Sequence, residues 1–171
     1  MSNRPEASEY PAFYGKYIAG VGDANIIDVL RDTGRELDEA VARIAEEKGS
    51  YRYAEGKWTI RTLLGHVIDA ERIFTYRALR LARGDSTPLP GFDENTFAAN
   101  AESDTRSVAA LRAELAAVRA STVELFASLP DSAWTRTGTV NNGQVSVRAL
   151  GYITAGHARH HLAILQERYG V

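Results

Sequence analysis

The sequence predicts an all-α protein, a four-helix bundle. Four segments carry apolar residues at the spacing of one helical stripe, and uneven loops containing proline and glycine separate them. The chain has 171 residues, of which 44% are hydrophobic, as expected for one domain with its own core. Amphipathic helices of this kind can bury their apolar faces only against one another, which gives a bundle.

The first two helices are predicted over residues 23–47 and 60–83. The apolar stripe of the first contains Ile26, Val29, Leu30, Leu37, Ala40, Val41 and Ile44. On the second, Thr59 is suited to cap the amino terminus and Gly84 to end the helix. Leu63, Leu64, Val67, Phe74, Ala78 and Leu81 form its apolar side.

The connection between the second and third helices, residues 85–103, is long for a bundle, where two to eight residues are commoner. We therefore expect a short helical turn near residues 94–98 within it. A cap at Asp104 or Thr105 should start the third helix, which we expect to run to about Ser128. Long connections often border functional sites, so this one is a candidate to do so.

A short β-hairpin is predicted between the third and fourth helices, within residues 134–146. Its signal is Asn142-Gly143, a strong turn pair that lies between β-branched residues. The hairpin is too short to change the fold class. Ser146 should then cap the fourth helix, which continues to Arg168.

The first 22 residues differ from the rest of the chain. They contain prolines and glycines among four aromatic residues, Tyr10, Phe13, Tyr14 and Tyr17, which is typical of turns with anchoring side chains. We expect residues 1–22 to form an arm that lies against a bundle domain made of residues 23–171.

The composition of the chain restricts the classes of molecule that the protein can bind. Twenty basic and 22 acidic residues give a net charge of -2, so no positive surface for nucleic acid or anionic lipid is expected. No segment has the length of a membrane span, and residues 1–10 lack the apolar stretch of a signal peptide, so we expect a cytoplasmic protein. There is no cysteine, which leaves only nitrogen and oxygen ligands for any metal.

All four histidines lie on the second and fourth predicted helices. His157 and His161 are about 40° apart around their helix, and both point into the bundle. His160 lies about 100° from His161, so we place it outside the shared site. If His66 faces the pair, three imidazoles can bind one divalent ion. Spacing alone leaves the alternative open that these are hydrogen-bonded core histidines.

The second helix carries further charged candidates. Glu71 lies about 140° from His66, which suits a buried acceptor for arginine or backbone better than a metal ligand. We interpret Asp69 as a surface charge rather than a residue that orients His66. Arg77 is the arginine to test for contact with an anionic group of the substrate. The two tryptophans are interpreted as structural anchors.

Several short motifs, taken in order and spacing, resemble those of the DinB/YfiT-like superfamily. They are Gly56-Lys57-Trp58-Thr59-Ile60, Leu64-Gly65-His66 through Glu71-Arg72, Arg83-Gly84-Asp85, Pro90-Gly91-Phe92-Asp93, Ala155-Gly156-His157 and His160-His161-Leu162. The resemblance implies an up-down-down-up bundle that is frequently a homodimer. It also implies a divalent ion, nickel or zinc, held by His66, His157 and His161.

The resemblance implies a metal-dependent enzyme without choosing its reaction, because the superfamily contains thiol-dependent transferases and isomerases beside candidate hydrolases. Our leading hypothesis is an S-transferase that joins a small-molecule substrate to a low-molecular-weight thiol such as bacillithiol or mycothiol. A metal-dependent hydrolase is the second hypothesis. A non-catalytic bundle that binds metal is the third. Three neutral imidazoles leave coordination positions open to water or thiol.

Overall fold

Helices dominate the computed structural model, which describes residues 4–171. The α-helices of this part of the chain are α1 (Gly15–Ala19), α2 (Ile26–Ala42), α3 (Ile60–Ala82), α4 (Glu94–Asn100), α5 (Val108–Ala127) and α6 (Val147–Tyr169). Strands β1 (Thr137–Val140) and β2 (Gly143–Ser146) form an antiparallel hairpin. The predicted all-α class with one short hairpin is confirmed.

The four long helices α2, α3, α5 and α6 form the bundle, in which α2 and α3 each pack against both α5 and α6. Their directions follow from contacts between helix ends: Tyr152 with Ala24, Tyr169 with Trp58, Asp38 with Arg112, and Arg72 with Glu114. Helices α2 and α6 are therefore parallel to each other and antiparallel to α3 and α5. This is the up-down-down-up order that the family resemblance implies.

Local capping fixes the helix boundaries. The side chain of Thr59 accepts a hydrogen bond from the backbone N–H of Thr62, and α3 begins at Ile60 as predicted. Helix α2 is shorter than the predicted 23–47, because Asn25 caps it and the chain leaves the helix after Ala42. Residues Glu46–Ser50 form a 3-10 turn instead.

The third long helix, α5, starts later than predicted. Its cap is Ser107, whose hydroxyl accepts from the N–H of Ala110 at 3.1 Å, so the expected cap at Asp104 or Thr105 is wrong. Asp104 is engaged elsewhere, since its carboxylate accepts a hydrogen bond from the hydroxyl of Thr59. The short helix predicted near residues 94–98 is present as α4.

The hairpin has a different turn from the one predicted. Asn141 and Asn142 occupy the two turn positions, with φ angles of 47° and 62°, and Gly143 pairs with Val140 in the sheet. A two-residue turn of this kind needs positive φ at both central positions, which asparagine tolerates. A Cβ on Gly143 would lie 2.4 Å from Pro11 Cγ, so the glycine instead permits close packing of the amino-terminal segment.

The core consists of two apolar clusters, one at each end of the bundle. Buried polar side chains lie between them along the helices: Thr33, Glu71, Arg119 and His157. The candidate functional residues therefore belong to a polar layer near the middle of the bundle.

Residues 4–22 pack on the bundle through the buried side chains of Tyr14, Ile18 and Val21. Glu9 in this segment accepts hydrogen bonds from Arg148 and Ser146 at the start of α6. Residues 1–3 of the predicted arm lie outside the described residues, and the division into arm and domain stays a prediction. Among residues 4–171, no helix combines the length and the apolar character needed to cross a bilayer.

Candidate metal centre

Three imidazoles meet between α3 and α6. Helix α3 supplies His66, and α6 supplies His157 and His161 one turn apart. The Nε2 atom of His157 lies 3.1 Å from Nε2 of His66 and 3.1 Å from Nε2 of His161. The three side chains each offer a ligand nitrogen, and these nitrogens all lie within 4.8 Å of one another.

A glycine precedes the first histidine on each helix and permits close packing beside the site. A Cβ on Gly156 would lie 2.1 Å from the backbone carbonyl oxygen of Tyr17, so glycine lets α1 rest directly on α6. A Cβ on Gly65 would lie 2.1 Å from Ser103 Oγ. These glycines explain in physical terms the Gly-His pairs at residues 65–66 and 156–157.

The chemistry of the three imidazoles suits a cation. Burial lowers the pKa of His66 to about 4, and burial followed by the neighbouring imidazoles lowers the pKa of His157 and His161 well below 6.5. The rings are therefore neutral at pH 7, as metal ligands must be. Nitrogens about 2.0–2.1 Å from one ion lie about 2.9–3.4 Å apart at angles of about 90–110°. The two separations of 3.1 Å fall within this range.

The contacts among the three Nε2 atoms also fit a ligand role. Hydrogen bonds alone serve this arrangement poorly, because the two neighbouring rings share the single Nε2 atom of His157. A shared cation would satisfy all three lone pairs at once.

The three histidines border a cavity of about 430 Å³, a volume typical of a small-molecule site. Six aromatic side chains line it: Phe13, Tyr14, Tyr17, Trp58, Phe74 and Phe92. The rings of Tyr17 and Phe74 each lie 5.4 Å from the ring of His157. Another cavity, of about 400 Å³, lies between α2 and α5 and contains none of these histidines. The imidazoles therefore mark the first cavity as the candidate site.

His160 borders the same cavity but does not join the three converging nitrogens. Its ring packs 5.5 Å from Tyr17 and 5.1 Å from His161, and it is half-buried. The angular argument from the sequence had placed it at the rim in the same way.

Sequence reasoning missed several charged or polar residues of the cavity, namely Lys16, Glu94 and Asn141. They come from α1, α4 and the hairpin turn, and none belongs to a periodic pattern that could have revealed it. Glu94 is the one carboxylate among the described residues that line the cavity, and its charge acts on His66 by raising the pKa against the effect of burial.

Arg77 also lines this cavity, three turns after His66 on α3. Its side chain is 3% exposed and donates a hydrogen bond of 2.7 Å to the carbonyl oxygen of Pro90. The guanidinium lies 5.7 Å from the ring centroid of Phe92. The arginine chosen from the sequence for contact with substrate therefore reaches the candidate site.

The remaining residues from the sequence have structural surroundings. Glu71 is 2% exposed and accepts hydrogen bonds from Arg119, as predicted for a buried acceptor. Asp69 is partly exposed and lies 3.9 Å from Arg72 at the surface. Trp58 does more than anchor the chain, because its ring lies 4.8 Å from His66 and forms part of the cavity wall.

Fold and site together define a four-helix bundle with a candidate metal centre between two of its helices. Residues 30–165 match the profile of the DinB superfamily, and this chain belongs to that superfamily. It is also 30% identical over 129 residues to a protein of Oceanobacillus iheyensis that is named as a candidate metal-dependent hydrolase. That similarity covers 74% of this chain and 73% of the relative.

Two solved structures share the fold. YfiT from Bacillus subtilis, described as a probable metal-dependent hydrolase with an unusual four-helix bundle topology, has a TM-score of 0.76 at 20% identity. The match covers 99% of this chain and 94% of YfiT. A mycothiol-dependent maleylpyruvate isomerase has a TM-score of 0.69 at 16% identity, covering 81% of this chain and 58% of the isomerase.

Proposed function

We propose that this chain is a metal-dependent hydrolase of a small-molecule ester or amide, with His66, His157 and His161 as the metal ligands. The observation that carries the proposal is the convergence of three neutral Nε2 atoms at the wall of an aromatic-lined cavity. The lowered pKa values of the three rings and the clustering of their ligand nitrogens within 4.8 Å support the same assignment.

A divalent ion held by His66, His157 and His161 would supply a Lewis acid that lowers the pKa of water toward about 7, so that hydroxide would be available to attack an ester or amide. The chain itself contributes the other parts. The depressed pKa values keep the three rings unprotonated, and the aromatic wall excludes bulk water from the apolar part of a substrate. The Glu94 carboxylate is the group in the cavity that can accept a proton from attacking water.

Two findings favour hydrolysis over thiol transfer. The O. iheyensis relative and YfiT, which match most or all of this chain, are both described as metal-dependent hydrolases. A cavity of about 430 Å³ also holds one small substrate with water more easily than a substrate together with a bulky thiol. The S-transferase hypothesis stays the second candidate, because the mycothiol-dependent isomerase shares the fold.

Metal binding is tested first. Protein stripped with a chelator is titrated with zinc, nickel, cobalt and manganese, and the stoichiometry is measured by calorimetry and, for cobalt, by visible absorption. We expect one ion per chain and at least a tenfold loss of affinity in His157→Ala. His160→Ala is the matched control, since this neighbouring ring is outside the converging set, and it should keep the wild-type affinity. Equal effects of the two substitutions would refute the ligand assignment.

The reaction is tested on the metal-loaded protein. A panel of nitrophenyl esters and anilides without thiol should be hydrolysed, with activity lost on chelation and restored by metal. A parallel assay with monochlorobimane and several cellular thiols detects metal-dependent conjugation. Conjugation without hydrolysis would favour the S-transferase hypothesis over the hydrolase. If metal raises the melting temperature and neither reaction occurs, the hypothesis of a non-catalytic bundle is favoured.

Zinc and nickel are the ions that we propose, in keeping with the family resemblance, and a homodimer is the proposed assembly. Light scattering on the metal-loaded protein measures its mass. A mass equal to the 18.7 kDa of one chain would exclude the dimer under those conditions.

A further inference from the structure

We propose that Arg77 binds the carboxylate of the substrate, so that the substrate is a small molecule with an apolar body and one carboxylate end. The proposal rests on the proposed function only in assigning the other end of that molecule to the histidine cluster. Its evidence is the surroundings of Arg77 itself.

Arg77 is a buried charge without a counter-charge. The side chain is 3% exposed, and none of the ion pairs within residues 4–171 includes it. The other deeply buried arginine, Arg119, is paired with Glu71 by two hydrogen bonds. Buried arginines are almost always paired in this way, because taking an uncompensated charge out of water is costly. Arg77 therefore lacks an anion that a ligand can supply.

The Arg77 guanidinium can donate further hydrogen bonds beside the cavity. Its planar fork carries five N–H groups, and one of them donates to the carbonyl oxygen of Pro90. The phenol of Tyr14 interacts with the same group, and the ring of Phe92 lies beside it. A planar fork held in one orientation by neighbours is suited to bind a carboxylate through two parallel hydrogen bonds.

Helix geometry places Arg77 and His66 at the two ends of one cavity. They are eleven residues apart on α3, which gives a rise of about 16.5 Å and a difference in direction of only about 20°. Long side chains on a helix tend to point toward its amino terminus, and both Arg77 and His66 line the cavity. Ala70 and Phe74, on the same face between them, line the cavity. An extended apolar body can therefore lie along α3 between the two groups.

The other charged side chains of the cavity are less suited to bind the carboxylate of the substrate. Lys16 is exposed, so its ammonium stays hydrated, and Glu94 is negative. Arg77 is the only buried cation among the described residues of the cavity wall. A single guanidinium without a second buried cation matches a monoanionic carboxylate better than a doubly charged phosphate.

The test measures binding rather than turnover. The probes are phenylacetate, phenylpropanoate and phenylbutanoate, each compared with its uncharged amide by calorimetry. Both metal-free and metal-loaded protein are used, because a carboxylate could also bind a metal ion. In metal-free protein we expect at least one acid to bind about tenfold or more tightly than its amide, as charge-assisted hydrogen bonds allow.

Arg77→Gln should abolish this preference for the acid, and Arg77→Lys, which keeps the charge without the fork, should reduce it. Arg83→Gln is the matched control, since it removes an exposed arginine from the end of the same helix, and Lys16→Gln removes the other cation of the cavity. Both should keep the preference. Circular dichroism and the melting temperature establish that each variant is folded. If Arg77→Gln does not fold, Arg77→Lys replaces it in the comparison.

The proposal is overturned if none of the acids binds, if acid and amide bind equally, or if the preference survives in Arg77→Gln. Loss of the preference in Lys16→Gln would assign carboxylate binding to Lys16 on α1 and would also overturn the proposal. A chain that binds no metal but keeps the Arg77-dependent preference would refute the proposed function alone. A metal-dependent hydrolase without the preference would refute this inference alone.

Discussion

Arg119 on α5 donates hydrogen bonds of 2.7 and 2.8 Å to the two carboxylate oxygens of Glu71 on α3. The same guanidinium donates to the carbonyl oxygen of Leu30 and to the hydroxyl of Thr33 on α2. Gly34 leaves room for it, because a Cβ there would lie 2.6 Å from Arg119 Cγ. One side chain thus connects three helices of the bundle in the layer that also contains the histidines.

Removal of one partner of the Arg119–Glu71 pair should strongly lower the stability of the fold. We expect Arg119→Ala to lower the free energy of unfolding by about 3–5 kcal/mol, because it leaves the Glu71 carboxylate buried without a partner. Urea denaturation measures the change. Arg112→Ala is the control, since Arg112 and Asp38 form a half-exposed pair that should contribute far less to stability. A loss in Arg119→Ala no larger than that in Arg112→Ala would show that the buried network adds no more stability than a surface pair.

Gly156 should not tolerate a methyl group. Alanine normally stabilises a helix interior by about 1 kcal/mol relative to glycine. Here we expect Gly156→Ala to destabilise the protein by about 1–3 kcal/mol, because its Cβ would meet the backbone of Tyr17 and displace α1 from α6.

Thermal denaturation and metal titration follow the effect of Gly156→Ala. Gly15→Ala provides the comparison, since the nearest atom to its Cβ would be 4.0 Å away, and it should leave both measurements unchanged. Wild-type stability in Gly156→Ala would mean that α1 does not depend on this contact.

Acid should destabilise the metal-free protein at unusually mild pH. The folded chain holds the pKa of His66 at about 4 and those of His157 and His161 well below 6.5, so only the unfolded chain takes up protons there as pH falls from 6.5 toward 4. The stability conferred by these neutral rings is fully present well above pH 6.5. It declines as pH falls through 6.5, with a slope that approaches about 1.4 kcal/mol per pH unit for each ring.

Urea midpoints of chelator-treated protein between about pH 7.5 and 5 measure this decline. His161→Ala should reduce the slope, because one of the three rings is gone. A midpoint that stays constant over this range would contradict the depressed pKa values.

Glu9 should hold the amino-terminal segment in place. Its side chain is 14% exposed, and its carboxylate accepts hydrogen bonds from Arg148 and Ser146. We expect Glu9→Ala to lower the stability by about 1–3 kcal/mol and to speed amide hydrogen exchange in residues 10–22. Asp23→Ala removes an exposed contact with Arg4 and should leave the exchange unaltered. Slow exchange in both variants would indicate that apolar packing alone secures the segment.

The helices could be predicted because their signals are local. Apolar periodicity gave the four long helices, and Thr59 and Ser146 were identified as caps because a hydroxyl at that position satisfies nearby backbone N–H groups. The spacing of His157 and His161 placed both on one face in the same way. The opposing position of His66 depended on the family resemblance, since its angle from the apolar centre was indecisive.

What the sequence did not predict depends on contacts between distant segments. Arg119 is 48 residues from Glu71, so their pairing leaves no periodic trace. Asp104 accepts a hydrogen bond from the distant Thr59, and α5 is capped by Ser107 instead. Lys16 and Glu94 reach the cavity only because separate short helices fold over its mouth.

Helix α3 holds Arg77 and His66 at a fixed distance from each other, because a helix neither stretches nor compresses appreciably. A molecule bound at Arg77 can therefore reach His66 only if its chain has the matching length. Chemical series that differ by single methylene groups should therefore be sorted by length rather than by hydrophobicity, with a sharp optimum at one member.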